Sequence, residues 1–417
     1  MATWSARRFL LIIVGSAFAI GSLVPLLNFA LDSAGYLQAR FNLAPLLCAP
    51  GMRTHHPYGK IAVARARRAE MMLMGNSRVG MGLDPEDASL KSLGLRAYNL
   101  YSPGMSLEEV FDVYERANLG KTARVVVIAV DAGQFWGDGG STRTLPSGYV
   151  ESWLAKSDAG QTALDLHFSF LSRHASLASL RALIRRSDCL QPLATPLGMR
   201  NRLPPRPERY GPHWAAFLAQ SRNHIINSHL RTVEASHTQT MTARVTRHTT
   251  ALQHFIQRLQ HEGVAVKLFI NPLHAQHQQI IHQVGLWPQF EQWKRGLSVL
   301  AESTQIQVLD FATHNEITER DYPKNPLVVS DFEYFYEFSH YTPKLGGIVL
   351  RRLFEQGAYK QELRWSAVLE PATIEAHLAR ERAHLARYAR AHVGPVQEIE
   401  HAIAQTRARS GQITRHR

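Results

Sequence analysis

Three positions, spread over most of the sequence, are of residue types that can together support attack on an ester carbonyl. Ser77 follows an apolar run at residues 71–75, Gly104 follows a second, shorter run, and His340 lies near the C-terminal end. A serine hydroxyl is a weak nucleophile at neutral pH, so it needs a neighbouring base and donors for the developing oxyanion. Histidine supplies such a base, and a glycine lets a backbone N–H approach a ligand closely. The order serine, glycine turn, late histidine therefore indicates nucleophilic acyl chemistry.

Two further residues extend this candidate catalytic set. Glu337 precedes His340 by three residues, so in a helical turn both side chains lie on one side and the carboxylate can orient the imidazole. Asn99 ends the apolar run before Gly104, and its side-chain amide is a candidate oxyanion donor.

Each position also has an ordinary structural interpretation. Serine is a frequent helix N-cap, so Ser77 is equally explained as a cap. Gly104 follows Pro103, and such a dipeptide forms turns without any ligand. His340 is one of 21 histidines, and a histidine at this spacing is more often a surface residue. The order and the fold context together, rather than any single residue, favour the catalytic interpretation.

Residues beside Ser77 or at the ends of later strands are candidates for binding the substrate: Asn76, Arg78, Asp131, Asn271 and His274. The pair His274 and His277 has a spacing that suits a metal, but no third ligand follows at a convincing distance in sequence. The sequence therefore predicts neither a metal nor a cofactor.

Apolar runs alternate with helical segments along two parts of the chain. The strands predicted from these runs are residues 71–75, 96–100, 124–131, 264–271 and 306–311. Strands separated by helices form parallel sheets with right-handed crossovers. We therefore expect an α/β fold, a three-layer sandwich around a parallel sheet of about five strands. Its loops at one sheet edge carry the candidate residues.

The expected organisation has five parts. Residues 1–31 form a cytoplasmic N-terminus and a transmembrane anchor, and residues 32–68 form a connector. The α/β domain comprises residues 69–135 and 264–356, interrupted by a helical insertion or lid at 136–263, and residues 357–417 form a helix and a basic tail. The insertion, Pro- and Arg-rich at 192–212, is too long for an ordinary crossover.

The N-terminal segment sets the cellular location. Residues 9–31 contain no charged side chain and follow Arg7 and Arg8, which predicts a membrane helix with the body translocated. A cleaved signal peptide is the alternative, because residues 17–19 form a small-x-small site. Cys48 and Cys189 are the two cysteines, and the sequence leaves open whether they are free or paired.

The net charge of +13 suits nucleic acid, an anionic membrane or an acidic polymer. Nucleic acid is not favoured, because the basic residues are scattered and no nucleic-acid-binding motif occurs.

The ordered set resembles the SGNH/GDSL-type hydrolase superfamily. More closely, it is similar to the membrane-anchored members associated with bacterial cell-envelope and exopolysaccharide acylation. Met-Gly-Asn-Ser77 looks like the nucleophile block, Asn99 to Gly104 like the glycine block, and Glu337-x-x-His340 like the acid–base block, where Asp is usual. The third block, Gly-x-Asn-Asp, is absent, and Asp131 follows the third strand instead.

This resemblance implies that Ser77 is the nucleophile, His340 the general base and Glu337 its orienting carboxylate. It also implies an SGNH, flavodoxin-like fold and a single-pass protein of the bacterial inner membrane with its body in the periplasm. The expected activity is that of a serine esterase or O-acyltransferase. The expected partners are an acylated cell-surface polysaccharide or another acyl ester, and a membrane protein that donates acyl groups. A catalytically silent glycan-binding or scaffolding protein is the alternative, which the absent third block favours.

Overall fold

The computed structural model describes residues 6–53, 57–118, 120–137, 158–201, 213–235, 238–323, 326, 331–354 and 365–415. Most of the Pro- and Arg-rich stretch, residues 202–212, and the end of the basic tail, residues 416–417, lie outside them. The chain divides into two compact units. The first comprises residues 1–69, 113–122 and 145–201, and the second comprises residues 70–112, 123–144 and 202–417. The segment expected as one insertion, 136–263, is therefore shared between them.

The second unit is an α/β structure with a mixed, mostly parallel sheet of six strands. The strands are β1 (Met71–Met74), β2 (Ala97–Asn99), β3 (Val125–Val130), β4 (Ala265–Ile270), β5 (Val308–Asp310) and β6 (Ala367–Val368). Their order across the sheet is β2-β1-β3-β4-β5-β6, parallel except for β6, which is antiparallel to β5. The predicted α/β class and the five parallel strands are confirmed. The sixth strand was not predicted, because two residues are too few to carry a pattern.

Helices connect and cover the strands of this unit. They are α4 (Ser77–Gly82), α5 (Ala88–Lys91), α6 (Leu107–Ala117), α7 (Ala132–Trp136), α11 (Trp214–Glu234), α12 (Thr238–His261), α13 (Ala275–Gln283), α14 (Trp287–Thr304), α15 (Pro343–Phe354), α16 (Ile374–Ala391) and α17 (Val393–Arg415), of which α6 runs on into the first unit. A capping box begins α6: Ser106 Oγ accepts from the Glu109 N–H, and Glu109 accepts from the Ser106 N–H.

The C-terminal segment differs from the expected basic tail. Residues 393–415 form the helix α17, which contacts α11 and α13. Val396, Ile399, Ala402 and Ile403 are its buried apolar residues, and their spacing of three and four positions is that of one helical face. The acidic residues Glu398 and Glu400 lie among them, and Arg407, Arg409 and Arg415 follow, so the charged residues obscured the apolar pattern.

Two glycines permit a close approach beside the β1 loop. A Cβ on Gly346 in α15 would lie 1.8 Å from the carbonyl oxygen of Gly82, at the end of α4. A Cβ on Gly82 would lie 1.9 Å from the ring of Tyr341. Only glycine therefore lets α15 and the preceding loop pack directly on α4. This contact connects the loop that carries His340 to the helix that begins at Ser77.

The first unit is helical in its described residues and contains α1 (Ala6–Leu31), α2 (Tyr36–Phe41), α3 (Pro57–Ala66), α8 (Asp158–Leu166), a π-helical turn (His167–Leu171), α9 (Arg173–Ile184) and α10 (Arg186–Leu190). Helix α1 is long and apolar enough to cross a membrane. Cys48 and Cys189 form a disulfide. An apolar N-terminal helix, a signal or an anchor, together with a disulfide indicates a body outside the cytoplasm.

Candidate active site

Ser77 lies at the first position of α4, directly beyond the carboxyl end of β1. The tight turn between them uses Gly75 at φ +152°, where an added Cβ would lie 2.6 Å from Val79 and 3.0 Å from the Ala129 carbonyl oxygen. The helix cap is Asn76, whose Oδ1 accepts from the Arg78 N–H at 3.0 Å. Because Asn76 fills the capping role, the Ser77 hydroxyl is available for other contacts.

The Ser77 hydroxyl contacts the imidazole of His340. Ser77 Oγ lies 2.8 Å from His340 Nε2, and Glu337 Oε1 is hydrogen-bonded to Nδ1 on the other side of the ring. A carboxylate accepting from Nδ1–H holds the tautomer in which Nε2 can accept the serine proton. The three residues predicted from their order and spacing are thus joined in one hydrogen-bonded chain.

Glu337 is buried, 5 % exposed, and is held by several donors. Its Oε2 accepts from the Ser339 N–H at 3.1 Å, and its Oε1 accepts from the His340 N–H at 3.0 Å. Ser221 of α11 donates its hydroxyl to Oε2 at 2.6 Å. Burial alone raises the pKa of Glu337, but the charge of His340 and the hydrogen bonds from His340, Ser221 and Ser339 outweigh it, so the pKa falls to about 2. Glu337 is therefore ionised at neutral pH.

Asp131, at the end of β3, organises the residues around Ser77. Its Oδ2 accepts from Asn76 Nδ2 at 2.5 Å and from Asn271 Nδ2 at 3.0 Å, and lies 2.8 Å from Arg78 Nη1. Arg78 Nε in turn donates to the carbonyl oxygen of Ser339 at 2.8 Å. This network connects the ends of β1, β3 and β4 to the loop that carries His340.

The serine opens into a cavity of 670 Å³. Its walls include Asn76, Ser77, Arg78, Gly104, Asp131, Gln134, Trp136, His224, Ile225, Ser228, His229, Leu273, His277, Ile281, Ser339 and His340. Gly104 adopts φ +66°, a conformation that favours glycine, and presents its backbone to this cavity. The backbone N–H of Gly104 and that of Ser77, in the first turn of α4, are therefore candidate hydrogen-bond donors to a ligand.

Apart from Glu337, which is hydrogen-bonded to His340, three of the predicted residues do not line the cavity. Asn99 donates from Nδ2 to the carbonyl oxygens of Val79 and Leu83, at 3.0 and 2.8 Å, so this amide supports the core rather than an oxyanion. Asn271 is fully buried, and its Oδ1 accepts from the hydroxyl of Tyr341 at 3.0 Å.

His274 is the third. It is fully buried, lies 2.9 Å from the Arg320 carbonyl oxygen through Nε2, and stacks on Tyr322. Its imidazole and that of His277 have different hydrogen-bond partners, the carbonyl oxygens of Arg320 and Phe338. Among the described residues, no group of three or more histidine, cysteine or acidic side chains is arranged to hold a metal.

A histidine pair in the cavity wall was not foreseen from the sequence. His229 Nε2 lies 3.1 Å from His277 Nε2, and His277 Nδ1 lies 3.2 Å from the carbonyl oxygen of Phe338. Since a carbonyl only accepts, His277 carries its proton on Nδ1, and His229 donates to its Nε2. Burial, and then nearby charges such as Arg78, lower the pKa of both, to about 4 for His229. The pair is therefore neutral at neutral pH.

The residues that sequence reasoning missed come from α11. Ser221 and His229 lie within the segment between β3 and β4, whose helices carry no motif. The available signal was the spacing of three and four positions between Ser221, His224 and Ser228, followed by His229, which places polar side chains on one face of a helix.

No protein-family model, curated protein or solved structure matches this chain. The site geometry therefore carries the functional argument. A serine, a histidine and a buried carboxylate in one hydrogen-bonded chain, open to a cavity with backbone donors, can activate a hydroxyl for attack on a carbonyl.

Proposed function

We propose that the protein is an extracytoplasmic serine esterase or O-acyltransferase whose nucleophile is Ser77. The observation that carries the proposal is the 2.8 Å contact between Ser77 Oγ and His340 Nε2, with Glu337 on the opposite ring nitrogen. A helix-capping role for Ser77, or a surface position for His340, would not require this arrangement. The strand order of the parallel part, 2-1-3-4-5, is that of flavodoxin-like folds, in which ligands bind beyond the carboxyl ends of the strands. It supports a three-layer, SGNH-like architecture.

In the proposed mechanism, Ser77 attacks the ester carbonyl while His340 Nε2 accepts its proton. The backbone N–H groups of Ser77 and Gly104 stabilise the oxyanion. Collapse of the tetrahedral intermediate expels the alcohol, which takes the proton from His340. The acyl group on Ser77 is then transferred to water or to a sugar hydroxyl, with His340 as base. Glu337 stays ionised throughout and stabilises the imidazolium.

An acylated cell-surface glycan is the substrate class that we propose. The cavity of 670 Å³ is large enough for a sugar ring with its acyl group, since ligand sites typically measure about 300–1,000 Å³. Its wall offers several hydrogen-bond partners, among them Arg78 and His224. The glycan and a periplasmic location follow from the family resemblance, and the apolar α1 and the disulfide agree with that location.

One observation favours the second candidate, a silent glycan-binding or scaffolding protein. The family's third block, with its asparagine, is absent, and Asp131, a carboxylate that lines the cavity, follows the third strand instead. The amide of Asn99 is bonded inside the core. Among the described residues that follow the strands, the oxyanion donors would then be backbone N–H groups, or Asn76 and Arg78 once a substrate had displaced them from Asp131.

Ester turnover by the purified full-length protein tests the proposal. With p-nitrophenyl acetate as probe, Ser77→Ala should reduce kcat/KM by at least about 1,000-fold. Ser228→Ala is the matched control, because Ser228 lines the same cavity without contacting His340. Equal turnover by Ser77→Ala and wild type would refute the proposal. No turnover by folded wild-type protein, with glycan binding retained, would favour the silent protein.

A further inference from the structure

The first unit has an unusual distribution of apolar side chains near the end of α1. In α9, the small residues Ala175, Ala178, Ser179 and Ala182 are buried, whereas large apolar residues are exposed: Leu177 by 49 %, Leu180 by 51 %, Leu183 by 51 % and Ile184 by 74 %. Water-soluble helices normally bury their large apolar side chains and expose polar ones. A reversed pattern, with small residues at the helix contact and leucines outside, is typical of helices in contact with lipid.

A second exposed group lies in the loop after α2. Leu43, Leu46 and Leu47 are exposed by 53, 77 and 58 %. The disulfide between Cys48 and Cys189 joins this loop to α10, where Leu190 is exposed by 59 %. We define the apolar patch as these four leucines together with the exposed Leu177, Leu180, Leu183 and Ile184 of α9.

The patch is continuous with the C-terminal end of α1. Leu27 and Leu31 of α1 pack with Ala182 and the two cysteines. Asn28, fully buried, donates to the carbonyl oxygen of Phe170 at 2.7 Å and to Ser176 Oγ at 3.2 Å. The Leu46 N–H donates to the Ala30 carbonyl oxygen at 3.0 Å. The end of α1 is thus embedded in the same unit whose surface carries the leucines.

The length of α1 determines how deep the patch would lie in a membrane that α1 spans. Residues 7–26 are largely exposed along the helix, and burial begins at residues 27–31. About 20 residues at 1.5 Å each span roughly 30 Å, the thickness of the hydrocarbon core. In an α1 that spans the bilayer, residues 27–31 and the leucines beside them lie where the bilayer meets water.

Exposed arginines accompany the leucines. Arg173 and Arg181 lie on α9, and Arg185 and Arg186 follow it. At a membrane surface such side chains place their apolar stems in the interface and their guanidinium groups among lipid phosphates. Charge and apolarity together thus match one partner, a phospholipid surface.

We propose that the first unit is an interfacial membrane module, in which α9 and the loop at residues 43–47 lie in the outer leaflet of the membrane that α1 crosses. Helix α1 is then one part of a broader membrane-contacting surface rather than a tether that lets the body move freely. This assignment is independent of the chemistry at Ser77.

Fluorescence quenching in vesicles tests the proposal with the full-length protein. Leu43→Cys, Ile184→Cys and the control Val299→Cys, which is exposed by 56 % on α14, are labelled with a thiol-reactive fluorophore, since both native cysteines are paired. The vesicles contain phosphatidylethanolamine and phosphatidylglycerol, with or without brominated acyl chains.

Brominated lipids should quench the labels at positions 43 and 184 at least threefold more than the label at 299, and aqueous iodide should show the reverse order. Equal quenching by iodide at all three positions would overturn the proposal, because the patch would face water. Protection of positions 43 and 184 from both quenchers would also overturn it, because protein would then cover the patch.

Discussion

At the scale of single residues, the side chain that sets the state of the site is Glu337. Its carboxylate is buried and accepts from His340, Ser339 and Ser221. A buried carboxylate is stable only when such donors compensate for its lost hydration. The acid–base pair therefore depends on α11, an element distant in sequence from both Glu337 and Ser77.

Ser221→Ala tests that dependence. The change removes the 2.6 Å hydrogen bond to Glu337 Oε2 and should lower kcat about 10-fold with little effect on KM, because a hydrogen bond to a charged group contributes about 1.5–3 kcal/mol. Ser221→Thr, which keeps the hydroxyl, should recover most of the activity, and Ser228→Ala on the same helix should match wild type. A Ser221→Ala variant with wild-type kcat would show that Ser221 does not position the carboxylate.

The pKa of Glu337 also predicts how stability depends on pH. Its folded-state value of about 2 lies below the ordinary 4.5, so its stabilising contribution is complete above pH 4.5 and is lost as the pH falls towards 2. The difference in free energy of unfolding between wild type and Glu337→Gln should therefore shrink by about 2 kcal/mol from pH 6 to pH 3. Urea unfolding of both proteins measures it. A difference that does not change with pH would contradict the ionised, hydrogen-bonded state.

Some residues of the site were predictable from the sequence, and others were not. Ser77, Glu337 and His340 were predictable because each occupies a defined place in an ordered pattern, and Glu337 and His340 are neighbours in the chain. Asn99 was assigned to the oxyanion from its place at a strand end, but the carbonyls of Val79 and Leu83 bind its amide instead. A side chain's direction depends on neighbours that the local sequence does not reveal.

At the scale of elements, the turn between β1 and α4 determines where the nucleophile lies. Four buried residues of β1 lead to Gly75 and then to the cap Asn76. A strand that ends in such a turn places the next side chain at the sheet edge, with helix N–H groups beside it.

Gly75→Ala should displace this turn. Its Cβ would lie 2.6 Å from Val79 and 3.0 Å from a backbone oxygen, at a φ that alanine rarely adopts, so we expect a loss of about 1–3 kcal/mol in stability and a larger loss of turnover. Gly394→Ala in α17, where nothing lies within 4 Å of the added Cβ, should leave both unchanged. Thermal unfolding and ester hydrolysis measure the two effects. Wild-type behaviour of Gly75→Ala would contradict the strained turn.

Elements with a long, nearly uninterrupted apolar pattern were predicted from the sequence, and elements with a short or interrupted pattern were not. The six-residue strand β3 is a continuous apolar run, β4 is apolar except for Lys267, and both lie within the predicted ranges. The two residues of β6 pair antiparallel with β5 only because tertiary structure brings them there. In α17, the apolar spacing was present but interrupted by charged residues, so a helix was not expected.

At the scale of the whole molecule, the candidate site and the candidate membrane helix belong to different compact units. The second unit contains the sheet and the candidate site, and the first contains the apolar α1 and the disulfide. This division was not predictable from the chain order, because residues 145–201 join the first unit although they lie between β3 and β4. Pairing of Cys48 with Cys189 was likewise left open, because it depends on two segments 141 residues apart in sequence being brought together.

The central claim is that Ser77 is an activated nucleophile, and reaction of the full-length protein with a fluorophosphonate tests it most directly. Intact mass and peptide mapping should show one adduct, on Ser77, because the contact with His340 at 2.8 Å activates this hydroxyl. Labelling should be lost in His340→Ala and kept in Ser228→Ala. Folded wild-type protein that forms no adduct at Ser77, or that labels equally without His340, would contradict the claim and favour the silent glycan-binding protein.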